Sequence, residues 1–258
     1  KRVALSPQQC KQLLNQYSEL QIIVEPSPDR CFTENEYKEA GADISDDLSQ
    51  CDVLLGIKEV PIDKLIEDKT YLFFSHTIKA QPYNRKLLQT ILQKDITLID
   101  YETLEWPEGG RILGFGKWAG IVGTYNALLT WGKKKGTFEL PPAYKTDGYE
   151  ACIDNLKSIK LGKPKILFTG NGRVADGIRE VLETLQILEV TPQELISNNY
   201  QQSVFCQMTN QNLYHRKDGG AWDEQHFFNN HKDYCCEFGV FTMYTDILIN
   251  GMYWEDDM

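Results

Sequence analysis

Apolar runs of strand length alternate with segments of helical periodicity along the first hundred residues of the chain. The apolar runs lie at residues 21–25, 52–57, 71–74 and 96–100. Helices are predicted from Ser6-Pro7 onward and at residues 33–40, 61–67 and 82–93. Because such alternation is typical of crossover connections between neighbouring strands, the pattern predicts a parallel, doubly wound sheet.

Two of these helices begin with residues suited to capping. Ser6 can accept hydrogen bonds from free amides, and Pro7 suits the first helical position. Thr33, followed three residues later by Glu36, fits a capping box, and Gly41 is a typical helix end. The predicted helix starts therefore rest on hydrogen-bonding chemistry as well as on periodicity.

Three glycines interrupt a further helical segment near the middle of the chain. They are Gly116, Gly120 and Gly123. Glycine lowers helix stability, so its repeated use here indicates a steric demand. The favoured interpretation is close packing of this helix against another element. The alternative is an approach of the backbone to a ligand near Phe115 and Gly116.

The composition changes after this helix and indicates a domain boundary. Residues 136–163 contain Pro141-Pro142, several glycines and one predicted helix at 148–158, which is typical of a linker. We therefore predict an N-terminal catalytic and substrate domain at 1–135 and a nucleotide-binding domain at 164–258. The fold class is α/β, with two doubly wound Rossmann-like domains built on parallel sheets.

The second domain opens with a dinucleotide-binding pattern. A strand at 165–169 runs into Gly170-x-Gly172-x-x-Ala175, and a helix follows to about residue 185. The first glycine permits a tight turn, the second a close approach of the pyrophosphate, and the third small residue close packing of helix and strand. This strand-to-helix context favours NAD or NADP binding over a purely structural glycine turn.

Two charged residues bear on which nicotinamide cofactor is used. Glu189 lies roughly 20 residues after the turn, where an acid accepts the 2′-OH of NAD and repels the 2′-phosphate of NADP. Arg173, at the start of the helix, has the opposite preference. The sequence leaves NAD and NADP as alternatives.

Charge and cysteine content narrow the class of protein. The chain has 258 residues and a net charge of −10, which argues against nucleic acid or an anionic membrane surface as a partner. Seven scattered cysteines favour reduced thiols in a cytoplasmic protein over a disulfide framework. The longest apolar stretch, residues 112–131, contains Lys117 and Asn126 and is too polar for a membrane span.

A late group of histidines and cysteines does not predict a metal site. It comprises His215, His226, His231 and Cys235-Cys236. Their spacing matches no established zinc-ligand pattern, so surface polar residues are the preferred interpretation. The expected partners are small-molecule substrates, with a homo-oligomer as a further possibility.

Ionisable residues follow three of the predicted strands at the point where each strand ends. Lys58 follows the run at 52–57, His76 follows the run at 71–74, and Glu102 follows the run at 96–100. Ligands of open α/β sheets bind beyond the carboxyl ends of the strands, so these side chains are candidates for an active site. Taken singly, a solvated Lys58 or a hydrogen-bonded core His76 is the alternative interpretation.

Neighbouring polar residues suggest what such a site would bind. Lys79 and Gln81 add a cation and an amide beside His76, and these groups suit the binding of carboxylates. Glu59 fits either an anchor for Lys58 or a contact to a substrate ammonium.

These segments resemble the alanine dehydrogenase and transhydrogenase superfamily over nearly the whole chain. Within it, residues 75–81 and 248–254 are similar to lysine-forming saccharopine dehydrogenase, also called lysine–2-oxoglutarate reductase. The segments that carry the resemblance are Arg2-Val-Ala-Leu-Ser-Pro7, Gly56-Ile-Lys-Glu-Val-Pro61, Phe73-Phe-Ser-His-Thr-Ile-Lys-Ala-Gln81, Leu98-Ile-Asp-Tyr-Glu102, Arg111 with Phe115-Gly116, Ala119-Gly120, and Leu248-Ile-Asn-Gly-Met-Tyr-Trp254.

The resemblance implies a reversible reaction in which saccharopine, NAD(P)⁺ and water give L-lysine, 2-oxoglutarate and NAD(P)H. It implies Lys58 as the base and His76 in hydration and breakdown of the imine. It further implies substrate contacts from Arg2, Glu59, Lys79, Gln81, Glu102 and Arg111. The cofactor contacts that it implies are Gly170, Gly172, Arg173, Val174, Glu189 and Asn250.

The resemblance also defines the alternatives. The family has a strand before Arg2 and further strands after Leu248-Ile-Asn-Gly251, so the second domain is expected to be an incomplete sheet with an exposed edge. An alanine dehydrogenase-type enzyme acting on pyruvate is the nearest rival, and a non-catalytic nucleotide- or ligand-binding remnant is the other.

Overall fold

The computed structural model describes residues 2–252, and the chain divides into two compact units, Lys1–Gly114 and Phe115–Met258. The sequence prediction ended the first domain at residue 135 instead. The helices and strands of the first unit are α1 (Pro7–Gln16), β1 (Ile23–Val24), α2 (Glu34–Glu39), β2 (Asp43–Ile44), β3 (Val53–Leu55), β4 (Thr70–Phe73), α3 (Arg85–Gln93) and β5 (Thr97–Asp100).

The first two helices begin at the positions that the capping patterns of the sequence predict. The Ser6 hydroxyl accepts from the Gln9 amide at 3.3 Å, and the Gln9 side chain accepts from the Ser6 amide at 2.8 Å. Thr33 and Glu36 form the same reciprocal pair at the start of α2. Each box satisfies two amides that an isolated helix end would leave without partners.

A three-stranded parallel sheet in the order β3-β4-β5 forms the centre of the first unit. Tyr71 and Phe73 of β4 are buried on one face against Leu87 and Ile91 of α3. β1 and β2 form a separate two-stranded parallel sheet. The parallel strands and intervening helices confirm the predicted α/β class.

The helix predicted at 61–67 is wrong and is a single 3-10 turn, Ile62–Lys64. Leu65 leaves the turn with extended dihedral angles and is buried beneath the sheet. Leu65 ends the turn because it is extended and buried. Only four residues then remain before β4 begins at Thr70, which is too few for a second helical turn. The helix predicted at 82–93 begins only at Arg85, after a 3-10 turn at Pro82–Asn84.

The second unit is built on a four-stranded parallel sheet in the order β11-β6-β8-β7. A short antiparallel pair, β9 with β10, stands apart from this sheet. The helices and strands of the unit are α4 (Gly116–Lys135), α5 (Tyr149–Lys157), β6 (Lys165–Thr169), α6 (Arg173–Thr184), β7 (Leu188–Glu189), α7 (Pro192–Ser197), β8 (Val204–Met208), α8 (Asn210–Leu213), β9 (Tyr214–Arg216), α9 (Glu224–Asn229), β10 (Tyr234–Cys236), α10 (Phe238–Thr242) and β11 (Ile247–Asn250).

Close packing of α4 against α6 explains why α4 belongs to the second unit. A Cβ at Gly120 would lie 2.0 Å from the carbonyl oxygen of Val174, and a Cβ at Gly177 would lie 2.0 Å from that of Lys117. Only glycine permits backbones to approach this closely. The packing interpretation of Gly116 and Gly120 is thereby confirmed, since Gly116 also abuts α6.

Polar contacts join the same helices. The Lys117 ammonium lies 2.6 Å from one oxygen of Glu180 on α6, and the Tyr149 hydroxyl of α5 donates to the other at 2.9 Å. Burial and the adjacent Glu180 raise the pKa of Tyr149 to about 12, which keeps its hydroxyl proton in place as a donor. Within residues 2–252, no helix is both long and apolar enough to cross a membrane.

The α4–α6 packing predicts opposite effects for two alanine substitutions in one helix. Gly120→Ala places a methyl against the Val174 carbonyl, so it should lower the free energy of unfolding by about 1–3 kcal/mol. Gly123→Ala is the control, because a Cβ there meets nothing within 4 Å. It should raise the free energy of unfolding by about 0.5–1 kcal/mol through helix propensity. Urea denaturation measures both, and equal effects would contradict the packing.

Candidate active site

Backbone hydrogen bonds continue past the ends of the first unit's sheet and fix where the chain leaves it. The Phe74 amide donates to the carbonyl of Ile57 at 3.1 Å, and the Tyr101 amide donates to the carbonyl of Phe73 at 3.2 Å. The three segments that follow β3, β4 and β5 therefore leave the sheet in register, at its carboxyl edge. The next ionisable side chains of each segment meet there.

The imidazole of His76 lies at the centre of this group. Its Nδ1 lies 2.9 Å from Oε2 of Glu102, and its Nε2 lies 3.3 Å from Nζ of Lys58. Oε1 of Glu59 lies 3.8 Å from Nε2. The structure thus brings together residues from the ends of three strands, as the sequence predicted.

Glu102 is the buried charge of the group, with 3% of its side chain exposed. Its Oε1 lies 3.2 Å from Nζ of Lys79 and 3.5 Å from the Arg111 guanidinium. Burial alone raises the pKa of Glu102. Hydrogen bonds and charge from His76 and Lys79 outweigh that effect and hold the pKa below its ordinary value. Lys58, Glu59, His76, Lys79, Glu102 and Arg111 are called the His76 cluster below.

The ionised state of Glu102 determines where the protons of His76 lie. Nδ1 lies 3.4 Å from Nζ of Lys79, but its shorter contact is the 2.9 Å one to Glu102. A carboxylate only accepts hydrogen bonds, so in that contact Nδ1 of His76 carries a proton and donates it. The Nε2 atom then faces Nζ of Lys58 at 3.3 Å. A protonated Lys58 donates to Nε2, whereas a neutral Lys58 accepts from a charged imidazolium. The pair is therefore arranged to pass a proton.

An unusual backbone geometry holds His76 in place. Its φ of 56° and ψ of 9° lie in the left-handed region, which costs a non-glycine residue on the order of 1 kcal/mol. Hydrogen bonds around Ser75 stabilise this turn: its hydroxyl lies 2.7 Å from that of Thr77 and accepts from the Thr77 amide at 3.1 Å. The sequence pattern predicts no role for Ser75, although this residue lies in the segment that carries the resemblance.

Two predicted substrate residues of this unit lie at the surface. Arg2 is exposed at the start of the described chain. Gln81 is exposed, and its carbonyl accepts from the Asn84 amide at 3.0 Å as a 3-10 turn begins. Their roles in substrate binding stay predictions.

In the second unit, the Gly170 turn joins β6 to α6 as predicted. Gly170 has a φ of +99°, and a Cβ there would lie 2.8 Å from the carbonyl oxygen of Gly251. Its amide donates to the Met208 carbonyl at 2.8 Å, which ties the turn to β8. Two independent constraints, backbone conformation and close approach, therefore require glycine at this position.

Gly172 differs, because packing does not explain it. It has an ordinary φ of −97°, and a Cβ there would meet no protein atom within 4 Å. It precedes Arg173 and Val174, the first residues of the 12-residue helix α6. The open space beside a helix N-terminus fits the pyrophosphate of a dinucleotide, which approaches the backbone here in proteins with this pattern.

Asn250 lies beside the same turn. β11 pairs with β6 so that Asn250 stands opposite Thr169, the last residue before Gly170. The Thr169 hydroxyl donates to Oδ1 of Asn250, and the Gly251 amide donates to the Thr169 carbonyl at 3.1 Å. The structure thus brings Asn250 to the carboxyl edge, where the predicted cofactor contacts lie.

Glu189 does not reach that edge, contrary to the position predicted for it. The register places Glu189 level with Phe205 and Ile166, near the opposite end of β6, and β8 separates its strand from β6. Arg179 donates to both of its oxygens at 2.6 and 2.8 Å, and these bonds lower the pKa of Glu189. The spacing in sequence predicted that Glu189 would lie beside the Gly170 turn. That prediction failed because β6 pairs with β8, which lies later in the chain, and not with β7, the strand of Glu189.

Comparisons with known proteins identify a family and several relatives that the chain resembles. Residues 1–122 match the family "Alanine dehydrogenase/PNT, N-terminal domain". Bovine mitochondrial alpha-aminoadipic semialdehyde synthase is 32% identical over 281 residues, an alignment that covers 100% of this chain and 30% of the relative. Saccharopine dehydrogenase [NAD(+), L-lysine-forming] of Candida glabrata is 31% identical, covering 73% of this chain and 55% of the relative.

A solved structure shares the fold. An L-alanine dehydrogenase superposes with a TM-score of 0.51 and 17% identity, covering 79% of this chain and 56% of that one. At this identity the likeness concerns the Rossmann-like fold alone. The bovine relative is mitochondrial by name, so the cytoplasmic location expected from the sequence stays a prediction.

The contacts of Glu102 predict how stability responds to acid. The folded pKa lies below the ordinary value of 4.5, so the stabilisation is present above pH 4.5 and is lost as pH falls through the folded pKa. Glu102→Gln should lower the free energy of unfolding by about 1–3 kcal/mol near neutral pH. This difference should shrink below pH 4.5.

Chemical denaturation at a series of pH values measures this difference. Glu108→Gln is the control, because Glu108 is exposed in the same unit and should show no comparable pH-dependent difference. A gap between wild type and Glu102→Gln that widens as pH falls would show that the carboxyl is held in its neutral form.

Proposed function

We propose that this chain, whose residues 1–122 match the alanine dehydrogenase/PNT N-terminal domain family, acts on saccharopine. The proposed reaction converts saccharopine, NAD(P)⁺ and water to L-lysine, 2-oxoglutarate and NAD(P)H, in either direction. The observation that carries the proposal is the contact of Lys58 with His76, whose other ring nitrogen donates to the buried Glu102. The Candida glabrata relative, which is named as an L-lysine-forming saccharopine dehydrogenase, supports the substrate.

Lys58 serves as the base in the proposed reaction. When bound, NAD(P)⁺ supplies the acceptor for the hydride that leaves the carbon beside the secondary amine. The neutral Lys58 amine takes the proton of that secondary amine while the carbon–nitrogen bond becomes a double bond. Transfer of the Lys58 proton to Nε2 of His76, 3.3 Å away, produces the neutral amine.

His76 then assists hydrolysis of the imine. The imidazolium gives the proton that it took from Lys58 to the imine nitrogen as water attacks the imine carbon, and the neutral ring then accepts the proton that the water loses. The same imidazole returns a proton to the nitrogen as the carbon–nitrogen bond breaks, which releases the lysine amine and leaves the oxo acid. Glu102 stabilises the charge that the ring carries between the two steps.

The charge of the His76 cluster suits a substrate with several carboxylates. Lys79, Arg111 and the proton that Lys58 shares with His76 provide three positive charges against the two carboxylates of Glu59 and Glu102. Lys79 and Arg111 have 45% and 49% of their side chains exposed, so a ligand can reach both. Gln81 and Arg2 are proposed to extend this carboxylate-binding surface.

We propose the Gly170 turn as the cofactor site. Gly170, Gly172, Arg173 and Val174 would hold the pyrophosphate at the start of α6, with Asn250 beside them. Glu189 is left out of this set because its register places it away from the turn. β8, the strand next to β6, is followed by the uncharged Thr209 and Asn210, so the site is proposed to accept NADP as well as NAD.

The role of Lys58 predicts loss of turnover without loss of fold. Lys58→Met should lower kcat by at least 100-fold, because it removes the base, while the melting temperature stays close to that of the wild type. The assay is NAD(P)H oxidation with lysine plus 2-oxoglutarate, on the native protein that carries this sequence.

A control variant and a second substrate pair accompany this assay. Lys86→Met removes an exposed lysine on α3 and should leave turnover unchanged. Pyruvate plus ammonia replaces the substrates in parallel reactions, and faster turnover with that pair would favour an alanine dehydrogenase-type enzyme. Near-wild-type turnover of Lys58→Met would contradict the assignment of the base.

The cofactor site predicts a binding defect at Gly172 that leaves stability unchanged. Gly172→Val fills space that no protein atom occupies, so it should weaken NADPH and NADH binding at least tenfold and leave the melting temperature within a few degrees of the wild type. Titration calorimetry measures both cofactors. Gly239→Val is the control, since its Cβ also meets no neighbour within 4 Å. Unchanged cofactor affinity in Gly172→Val would remove the turn from the proposed site.

A further inference from the structure

Asp100 is a buried carboxylate that the proposed reaction does not use. It ends β5, and 7% of its surface is exposed. One oxygen accepts from the Glu102 amide at 2.9 Å and from the Ser75 amide at 3.3 Å. The other accepts from the Ser75 hydroxyl. All three bonds go to the two segments that carry His76 and Glu102.

Ser75 connects Asp100 to the turn that holds the His76 imidazole. It is fully buried, and its hydroxyl contacts both the amide and the hydroxyl of Thr77, on the far side of His76. The hydrogen bonds between Ser75 and Thr77 therefore stabilise the left-handed turn at His76, and the bonds of Asp100 to Ser75 hold this turn against β5. The same Asp100 carboxylate fixes the main chain of Glu102. One buried side chain thus sets both partners of the 2.9 Å contact between His76 and Glu102.

We propose that Asp100 and Ser75 are positioning residues, which hold the His76 imidazole so that Nδ1 donates to Glu102 and Nε2 faces Lys58. This inference rests on the proposed function and adds two residues to it. Neither side chain lies in the His76 cluster itself. They act by restricting the ring to one orientation and one tautomer, the arrangement that the proton transfer needs.

If the Asp100 carboxylate served only to stabilise the turn after β5, that turn would depend on it for its hydrogen bonds. The main-chain carbonyl of Asp100 accepts from the Thr103 amide at 3.1 Å and from the Thr103 hydroxyl at 3.0 Å, so the turn after β5 has bonds of its own. Within that turn the carboxylate accepts only from the Glu102 amide, and its other two bonds go to Ser75. Removing it should therefore disturb the imidazole more than the strand.

The test uses the tautomer of His76, which a structural role alone would not move. The chain has four histidines, so nitrogen-15 NMR resolves the His76 ring once a His76→Asn variant assigns it. At a pH where the ring is neutral, the wild type should show the proton on Nδ1. Asp100→Asn and Ser75→Ala should shift the ring towards a mixture with the Nε2–H form. The other groups that face the ring or its partner carboxylate, Lys58, Glu59, Lys79 and Arg111, are unchanged in both variants.

Kinetics provide the second measurement, on the native protein with lysine plus 2-oxoglutarate. A misplaced imidazole should lower kcat by about 10- to 100-fold in both variants, while KM changes less than about twofold. Ser75→Thr keeps the hydroxyl and should recover most of the activity that Ser75→Ala loses. Thr103→Ala is the control, because its hydroxyl bonds only the main chain of Asp100. It should leave tautomer and kcat unchanged.

The outcomes separate this inference from the proposed function. An unchanged His76 tautomer and kcat in folded Asp100→Asn and Ser75→Ala overturn the inference. If Asp100→Asn fails to fold, the Ser75→Ala and Ser75→Thr pair decides in its place. Absence of turnover in the wild type overturns the proposed function, and the tautomer comparison then still decides whether Asp100 and Ser75 hold the ring.

Discussion

The buried carboxylate of Glu102 is the charge on which the first unit's site depends. Burial of an ionised carboxylate is costly unless cations and hydrogen-bond donors surround it. His76, Lys79 and Arg111 meet that need, and in doing so they are brought within reach of one another. The need for partners also orients the imidazole, because Nδ1 must donate to Glu102. The opposite ring nitrogen is left facing Lys58, and this arrangement allows the pair to exchange a proton.

In the second unit, the packing of α4 against α6 depends on a steric constraint, whereas the site of the first unit depends on a buried charge. Gly120 and Gly177 let α4 and α6 approach until a methyl group would overlap a carbonyl oxygen. Gly170 meets a similar limit against Gly251 at the end of β6. These contacts fix the start of α6 relative to the sheet. Gly172, which has open space around it, is the glycine in this turn whose presence a ligand explains better than packing does.

Much of this arrangement could be predicted from the sequence, and the failures have physical causes. β6 and the helix after it were predicted because a fully buried strand and a glycine turn leave strong local signals. The helix predicted at 61–67 failed because burial of Leu65 outweighed local helix propensity. The antiparallel pair β9 with β10 was not predicted, since both strands are three residues long and their pairing spans a separation that leaves no local pattern. Glu189 was misplaced because sequence spacing does not give strand order.

The sequence by itself determined the α/β class, the alternation of strands and helices, the capped helix starts, and the ionisable residues that follow β3, β4 and β5. Those properties depend on periodicity and on residues close together in the chain. The tertiary structure alone decided that α4 packs with the second unit, that Glu189 pairs with Arg179, and that Asp100 and Ser75 hold the turn at His76. Each of these depends on contacts between residues far apart in sequence, and local propensity and spacing carry no information about such contacts.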